Sequence, residues 1–258
     1  MPNSLATSAK ITWCPGCPNS QILVAFRQAV NDLVDGGQVK LENIVACSGI
    51  GCHGKITEYL DMNTFTSLHG RSIATMAGIK LANPALTCVG FAGDADTFAE
   101  GVEHLVHAAR RNADIKLFVH DNRVFALTTG QASPLSPQGF KGKSTPAGSF
   151  EEPFDPLALT LIAGATFVAR TYAGDIARTK DIMKQAMLHR GFAFVDIIQP
   201  CITFFDTRDY FKDNITWMEG PTPTTHDEVA KIEHETGKIP CGIFYQVSKP
   251  TYEQAFDA

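Results

Sequence analysis

Short apolar runs alternate with stretches of helical periodicity over most of the chain. Residues 43–47 (NIVAC) read as a strand that runs into the turn Ser48-Gly49-Ile50-Gly51. Residues 72–82 read as a helix, stopped by Asn83-Pro84 because proline cannot continue it. Residues 86–92 (LTCVGFA) form a continuous apolar run, as expected of a strand covered on both faces. A long helix is predicted over 97–112. Its positions Phe98, Gly101, Val102, Leu105, Ala108 and Ala109 share one face, and Arg110 and Arg111 stand in the last turn, where positive charge complements the helix dipole. Residues 115–120 are a further strand; helix 157–163, strand 166–170, helix 175–190 and strand 193–199 complete the alternation. This pattern predicts an α/β fold, an open and largely parallel sheet with helices on both faces. Residues 131–155, rich in Pro, Gly, Ser and Lys, read as one long functional loop. From Thr203 the alternation stops, and acids outnumber bases over 206–238. The expected organisation is a sheet domain over 1–203 and an irregular C-terminal arm over 204–258.

Composition narrows the classes. Hydrophobic residues are 44% of the chain, enough for a packed core, which excludes a disordered protein. The net charge of −5 argues against broad nucleic-acid binding, which needs a basic surface. The longest uncharged run, 157–169, is too short to span a membrane. The N-terminal stretch MPNSLATSAKITWC carries no apolar core of a secretory signal, so a cytoplasmic location is expected.

Chemistry collects where strands end. The run 86–92 leads into Gly93-Asp94-Ala95-Asp96, and in a parallel sheet ligands bind at the carboxyl ends of strands. A helix start there suits an anion, yet two acids repel one unless a cation intervenes. A divalent ion bridging Asp94 to a diphosphate resolves the conflict. The next strand ends in His120-Asp121-Asn122-Arg123-Val124, and 28 residues separate Asp94 from Asn122. That interval fits one helix plus one strand, so adjacent tips would present Asp94, the Asn122 amide and the Val124 carbonyl to one magnesium ion. The competing reading is plainer: Asp96 caps a helix and Asn122 is a turn residue.

Seven cysteines, Cys14, Cys17, Cys47, Cys52, Cys88, Cys201 and Cys241, make a disulfide framework improbable. Cys14 and Cys17 form a C-x-x-C pair, which serves as a redox dithiol, half a zinc site or half an iron–sulfur site. Cys14, Cys17, Cys47 and Cys52 have spacing that a non-enzymatic zinc module would also use. Cys47 and Cys88 otherwise read as strand residues behaving as small hydrophobes.

The G-D-x…N spacing is similar to the signature of thiamine-diphosphate enzymes, with Ala95 for the second glycine and Asp121 for the first asparagine. The ordered motifs WCPGC (13–17), SGIGCHGK (48–55), LHGR (68–71), GIKLANP (78–84), GDAD (93–96), HAARRN (107–112), LTTGQASP (127–134) and QPC (199–201) resemble the β subunit of the 2-oxoacid:ferredoxin oxidoreductases. Pro18 replaces the glycine that ends the family's first motif.

The resemblance implies thiamine diphosphate, magnesium and one 4Fe-4S cluster held by Cys14, Cys17, Cys52 and Cys201. It implies cofactor contacts at Ile50, Gly51, His69, Gly93, Asp94, Ala95, Asp96, Asn122 and Thr128. Lys55 and Arg71 are expected to neutralise phosphate or a substrate carboxylate. The implied reaction is coenzyme A-dependent oxidative decarboxylation of a 2-oxoacid, with electrons passed to ferredoxin. The glutamate that activates thiamine is expected from the pyrimidine-binding domain of a separate α subunit; Glu58 and Glu100 read as surface acids. Further γ or δ subunits fit the same scheme. The compact C-terminal end leans toward 2-oxoglutarate over pyruvate or a branched-chain acid. A non-redox thiamine decarboxylase or lyase is the alternative.

Overall fold

A computed structural model describes residues 5–229 and 238–256; the part of the acidic stretch at 230–237 lies outside the described residues. The strands read from apolar runs are present: β1 (Ile44–Ser48), β3 (Thr87–Gly93), β4 (Ile115–Asp121), β7 (Phe167–Tyr172) and β8 (Ala193–Ile198). β2 (Asn63–Thr66) pairs with β1, and a two-stranded hairpin of β5 (Val124–Phe125) and β6 (Gln131–Ala132) stands apart. The main sheet has the order β2-β1-β3-β4-β8-β7-β10-β9, where β9 is Ile215–Trp217 and β10 is Ile239–Gln246. Its pairings are parallel except β10 with β7.

Both faces are covered, which explains the unbroken apolar runs. On one face α1 (Asn19–Asp35) and α6 (Ile176–Leu188) pack together, burying Ile22, Phe26, Val30, Ile182 and Met183 against Phe91, Phe118 and Val195. On the other, α2 (Ser72–Ala82), α4 (Val102–Arg111) and α5 (Pro156–Ile162) cover Cys88, Ala92, Leu117, Val119 and Phe194. Neighbours along β3 thus alternate between two cores, and truncating Phe91 to Ala costs about 3–5 kcal/mol.

Three expectations are corrected. The helix predicted over 97–112 is two helices, α3 (Asp94–Phe98) and α4, broken around Gly101. A Cβ at Gly101 would lie 2.8 Å from the Gly70 carbonyl, so the loop before α2 wedges into the break. The segment after Thr203 is not wholly irregular, since α7 (Arg208–Asn214), β9 and β10 form and β10 joins the sheet through β7. The sheet therefore runs across the expected boundary at 203/204. The stretch 131–155 begins as strand, through β6.

At the amino end of β4 a buried ionic cluster closes the sheet. Asp114 lies 2.7 Å from Lys80 and 2.5 Å from Lys116. Lys116 also donates to the carbonyls of His189 (2.6 Å) and Gly191 (2.9 Å). The Asn112 amide holds the carbonyls of Lys249 and Pro250, and the Glu253 carboxylate accepts from the Asp114 N–H.

Candidate functional site

Strand order sets where chemistry gathers. The chain leaves β1 toward β2 on one side and leaves β3 toward β4 on the other, so the sheet's switch point lies between β1 and β3. Register places Ser48 beside Phe91, Gly93 beside His120 and Asp121 beside Ile198. The loops after β1, β3, β4 and β8 therefore emerge as one row, and two cavities open among them.

The first is a cleft of about 420 Å³ lined by Ile50, Gly51, Cys52, His53, His69, the turn Gly93–Asp96, Asn122 and the loop Val124–Thr128. Every cofactor and magnesium candidate read from the sequence lies on its wall. Asp94 is buried at its base and accepts a hydrogen bond from Ser133 Oγ. Burial pushes the Asp94 carboxyl well above its usual range, and neighbouring Asp121 adds to this. Burial, then Asp196, likewise pushes Asp121 up to about 7. Arg123 Nε, 3.6 Å from Asp121 Oδ2, offsets part of this charge, and a cation beside Asp94 would offset more.

Asn122 Oδ1 accepts the Val124 N–H at 3.0 Å, and Arg123 between them has φ of 61°. This tight turn brings the Asn122 amide and Val124 to the cleft together. Ala95 is helical, so the residue that replaces glycine needs no left-handed backbone.

Asp96 is no helix cap, since Gly93 occupies that position. Its carboxylate instead ties two connections, after β1 and before α2, accepting from Gly70 N (2.7 Å) and Ile50 N (3.3 Å), with His69 Nδ1 at 3.0 Å and His53 Nε2 at 3.5 Å. Burial opposes the charge, but the facing His53 and His69 imidazoles outweigh it and hold the group well below the usual carboxylate range. The nearby Asp96 carboxylate in turn raises the His69 pKa. Gly49 is required beneath it, because any Cβ there would enter the Asp96 carboxylate.

The second cavity is lined by Thr12, Trp13, Cys14, Cys17, Asn19, Cys52, Lys55, Asn122, Ala126, Leu127, Gln199 and the segment Cys201–Phe204. It brings together the four cysteines proposed from the motifs, although Cys17 and Cys201 are far apart in the chain. The turn Cys14–Cys17 is closed by Cys17 N donating to Cys14 O at 2.9 Å, with Gly16 at φ 82°. Trp13 Nε1 donates to the Cys52 carbonyl at 2.6 Å and pins this hook to the loop after β1. Thr203 Oγ1 donates toward Cys14 Sγ at 3.5 Å and Gln199 Nε2 toward Cys17 Sγ at 3.7 Å. Donors aimed at sulfur suit thiolates, which accept far better than thiols.

The zinc set is not assembled. Cys47 is buried in the core on the face opposite that where Cys17 and Cys52 pack, and burial pushes its thiol up to about 12. Among the described residues no three His, Cys, Asp or Glu side chains converge as one metal ion requires. A four-iron cubane spreads its four thiolates wider than a single ion does, and the magnesium set contains one carboxylate with an amide and a carbonyl. Cys88 and Cys241 are core residues with raised thiol pKa values.

Lys55 and Arg71 do not line the cleft. Lys55 faces the cysteine cavity and donates to Thr12 Oγ1 at 2.6 Å. Arg71 Nη1 donates to the Glu100 carbonyl at 2.6 Å and pairs with Glu103 at 3.7 Å. Thr128 is on the rim, exposed and bonded to Gln131. Glu58 and Glu100 are exposed. His53, Ser133, Asn19 and Gln199 were given no role in the sequence reading, though His53, Ser133 and Gln199 lie inside three of the ordered motifs.

Residues 49–197 match the family described as thiamine pyrophosphate enzyme, C-terminal TPP binding domain. Residues 201–258 match the family described as the C terminal of the pyruvate ferredoxin oxidoreductase beta subunit. The 2-oxoacid:ferredoxin oxidoreductase subunit beta of Sulfolobus sp is 40% identical over 264 residues, covering 95% of this chain and 85% of that protein. The chain belongs to the β subunits of the 2-oxoacid:ferredoxin oxidoreductases. A family member from Archaeoglobus fulgidus, a 2-oxoglutarate synthase subunit, is 42% identical over 191 residues, 74% of this chain and 70% of that one. The 2-oxoglutarate:ferredoxin oxidoreductase from Magnetococcus marinus, solved with 2-oxoglutarate, coenzyme A and succinyl-CoA bound, superposes with a TM-score of 0.94 at 34% identity, over 99% of this chain and 88% of that one. As a β subunit of this family, the chain is part of an oxidoreductase complex, and its sheet is the thiamine diphosphate-binding half. Among the described residues no helix is long and apolar enough to cross a membrane.

Proposed function

We propose that this β subunit serves the coenzyme A-dependent oxidative decarboxylation of 2-oxoglutarate, passing electrons through a 4Fe-4S cluster on Cys14, Cys17, Cys52 and Cys201 to ferredoxin. The observation that carries the reading is a shared wall: Cys52, Asn122, Ala126 and Leu127 line both the cleft and the cysteine cavity. A redox cluster and the cofactor it serves must lie this close, and a decarboxylase without redox chemistry has no use for four converging cysteines.

Thiamine diphosphate, when bound, supplies the carbon nucleophile and electron sink, and the cluster accepts electrons singly. The chain's own residues bind and orient. Asp94, Asn122 and the Val124 carbonyl hold magnesium, relieving the crowding of Asp94 and Asp121. Ile50, Gly51, Gly93, Ala95 and Thr128 wall the cofactor, while Asp96 locks the loops that carry Ile50 and His69. Lys55 lines the cysteine cavity and moderates the charge gathered there. The activating glutamate comes from an α subunit, and the names borne by the Archaeoglobus and Magnetococcus proteins support 2-oxoglutarate as substrate. Seven unpaired cysteines suit a reducing cytoplasm.

The test is methyl-viologen reduction by the anaerobically co-purified complex, given coenzyme A and a panel of 2-oxoacids. Brown absorption, bound iron and sulfide, and fastest turnover with 2-oxoglutarate are expected, with no turnover by the β chain alone. A colourless complex that decarboxylates without reducing the dye would favour the non-redox alternative.

A further inference from the structure

Among the four cysteines around the second cavity, Cys17 receives a hydrogen bond from a buried side-chain amide. Gln199 Nε2 stands 3.7 Å from Cys17 Sγ and 3.3 Å from the Pro200 carbonyl. Both neighbours are acceptors, so the amide is fixed with its NH2 group toward the sulfur. Asn19 lines the same cavity beside Cys17. The Asn19 side chain is held from behind, because its Oδ1 lies 2.6 Å from His120 Nδ1, which must carry the proton to donate. Gln199 and Asn19 are 1% exposed and His120 is wholly buried, so water cannot replace any of these groups. Cys14 differs: its hydroxyl donor, Thr203, sits where solvent reaches.

We infer that Gln199, with Asn19 held beside it by His120, sets the reduction potential of the cluster through the hydrogen bond it gives the Cys17 sulfur. The inference rests on the cluster assignment proposed above. An N–H···S bond withdraws charge from the thiolate and favours the reduced, more negative state of the cluster, which raises its potential. These are positioning residues: Gln199 touches a ligand sulfur, and neither touches substrate or thiamine. Burial gives the bond a low-dielectric setting, where it counts for more than it would in water. His120 belongs to β4, whose next turn carries Asn122, so one strand end steadies both sites.

The test uses the anaerobically purified complex, reduced stepwise with dithionite and followed by EPR. The signal that vanishes in Cys201→Ser belongs to this chain's cluster. Gln199→Met keeps length and packing but removes the donor; Asn19→Leu removes the neighbouring amide. Each is expected to shift the midpoint potential to more negative values at wild-type iron and labile-sulfide content, with the larger shift in Gln199→Met because its amide is the one within bonding distance of the sulfur. Should one variant lose its cluster, the other decides. Midpoints equal to wild type at full iron content overturn the inference. Absence of iron from the wild-type complex, or a spectrum unaltered by Cys201→Ser, instead defeats the cluster assignment on which it rests.

Discussion

Ser133 Oγ donates a hydrogen bond to Asp94 Oδ2 across 2.5 Å at the base of the cleft, and both side chains are buried. A serine hydroxyl only partly offsets the cost of sequestering a carboxylate beside Asp121, so the pair is built for a ligand more than for stability. Asp94→Asn is therefore expected to keep or raise the melting temperature of the cofactor-free protein. It should lose the stabilisation that thiamine diphosphate and magnesium confer, about 2.7 kcal/mol at a hundredfold excess over Kd. Thermal shift with and without both ligands checks this, and an undiminished upshift in the variant removes Asp94 from the site.

Thiol reactivity should divide the cysteines in the cluster-free protein. Cys14 is exposed, whereas burial pushes Cys47 and Cys241 up to about 12 and Cys88 to about 11. Iodoacetamide at pH 8 followed by peptide mass mapping is expected to label Cys14 first and to spare those three until the chain unfolds. Early labelling of Cys47 would place it outside the core and revive the zinc set.

A pH effect on folding is expected from His189, far from both cavities. Burial, with Lys116 adding to it, pulls its pKa down from 6.5 to about 4, and its Nε2 lies 2.7 Å from Thr166 Oγ1. Between those values the unfolded chain binds a proton that the folded ring refuses. Stability is thus whole above pH 6.5 and falls on acidification toward 4, by on the order of 2–3 kcal/mol. Urea melts across this range measure the slope, which His189→Gln should flatten.

Gly70 has φ of 69°, its N–H reaches Asp96, and a Cβ there would collide with the Glu100 backbone. Gly70→Ala is expected to cost roughly 1–3 kcal/mol and to weaken cofactor binding by shifting His69. Denaturant melts and a thiamine diphosphate titration would separate the two effects. If both stay at wild-type values, the loop is freer than its geometry indicates.

The cleft was legible because its grammar is local. Asp94 and Asn122 end consecutive apolar runs, and a parallel sheet makes consecutive ends neighbours. The convergence of Cys17 with Cys201 was not: no spacing rule joins residues from opposite ends of a sheet domain, and only the resemblance placed them together. α1 falls outside the alternation of strands and helices read from the sequence, despite the helical spacing of Ile22, Phe26, Ala29, Val30 and Leu33, all fully buried. The break at Gly101 left no mark on periodicity, because it arises from a tertiary approach by Gly70. β10 was hidden by Pro240 and Gly242, which argue against a strand inside a sheet. His120 and His53 stand in quoted stretches yet draw no role from them, because their partners, Asn19 of α1 and Asp96 of α3, are far away in the chain.

The ionic knot of Lys80, Asp114 and Lys116, bound to the tail through Glu253, lies at the amino rim of the strands, while every candidate reactive group lies at the carboxyl rim. The molecule thus has two poles, one that ties helix, strand and tail together and one where the candidate site opens. A designer seeking a hardier protein can rework the first, repacking its charges or tightening its grip on the tail, and leave the second tuned as it was.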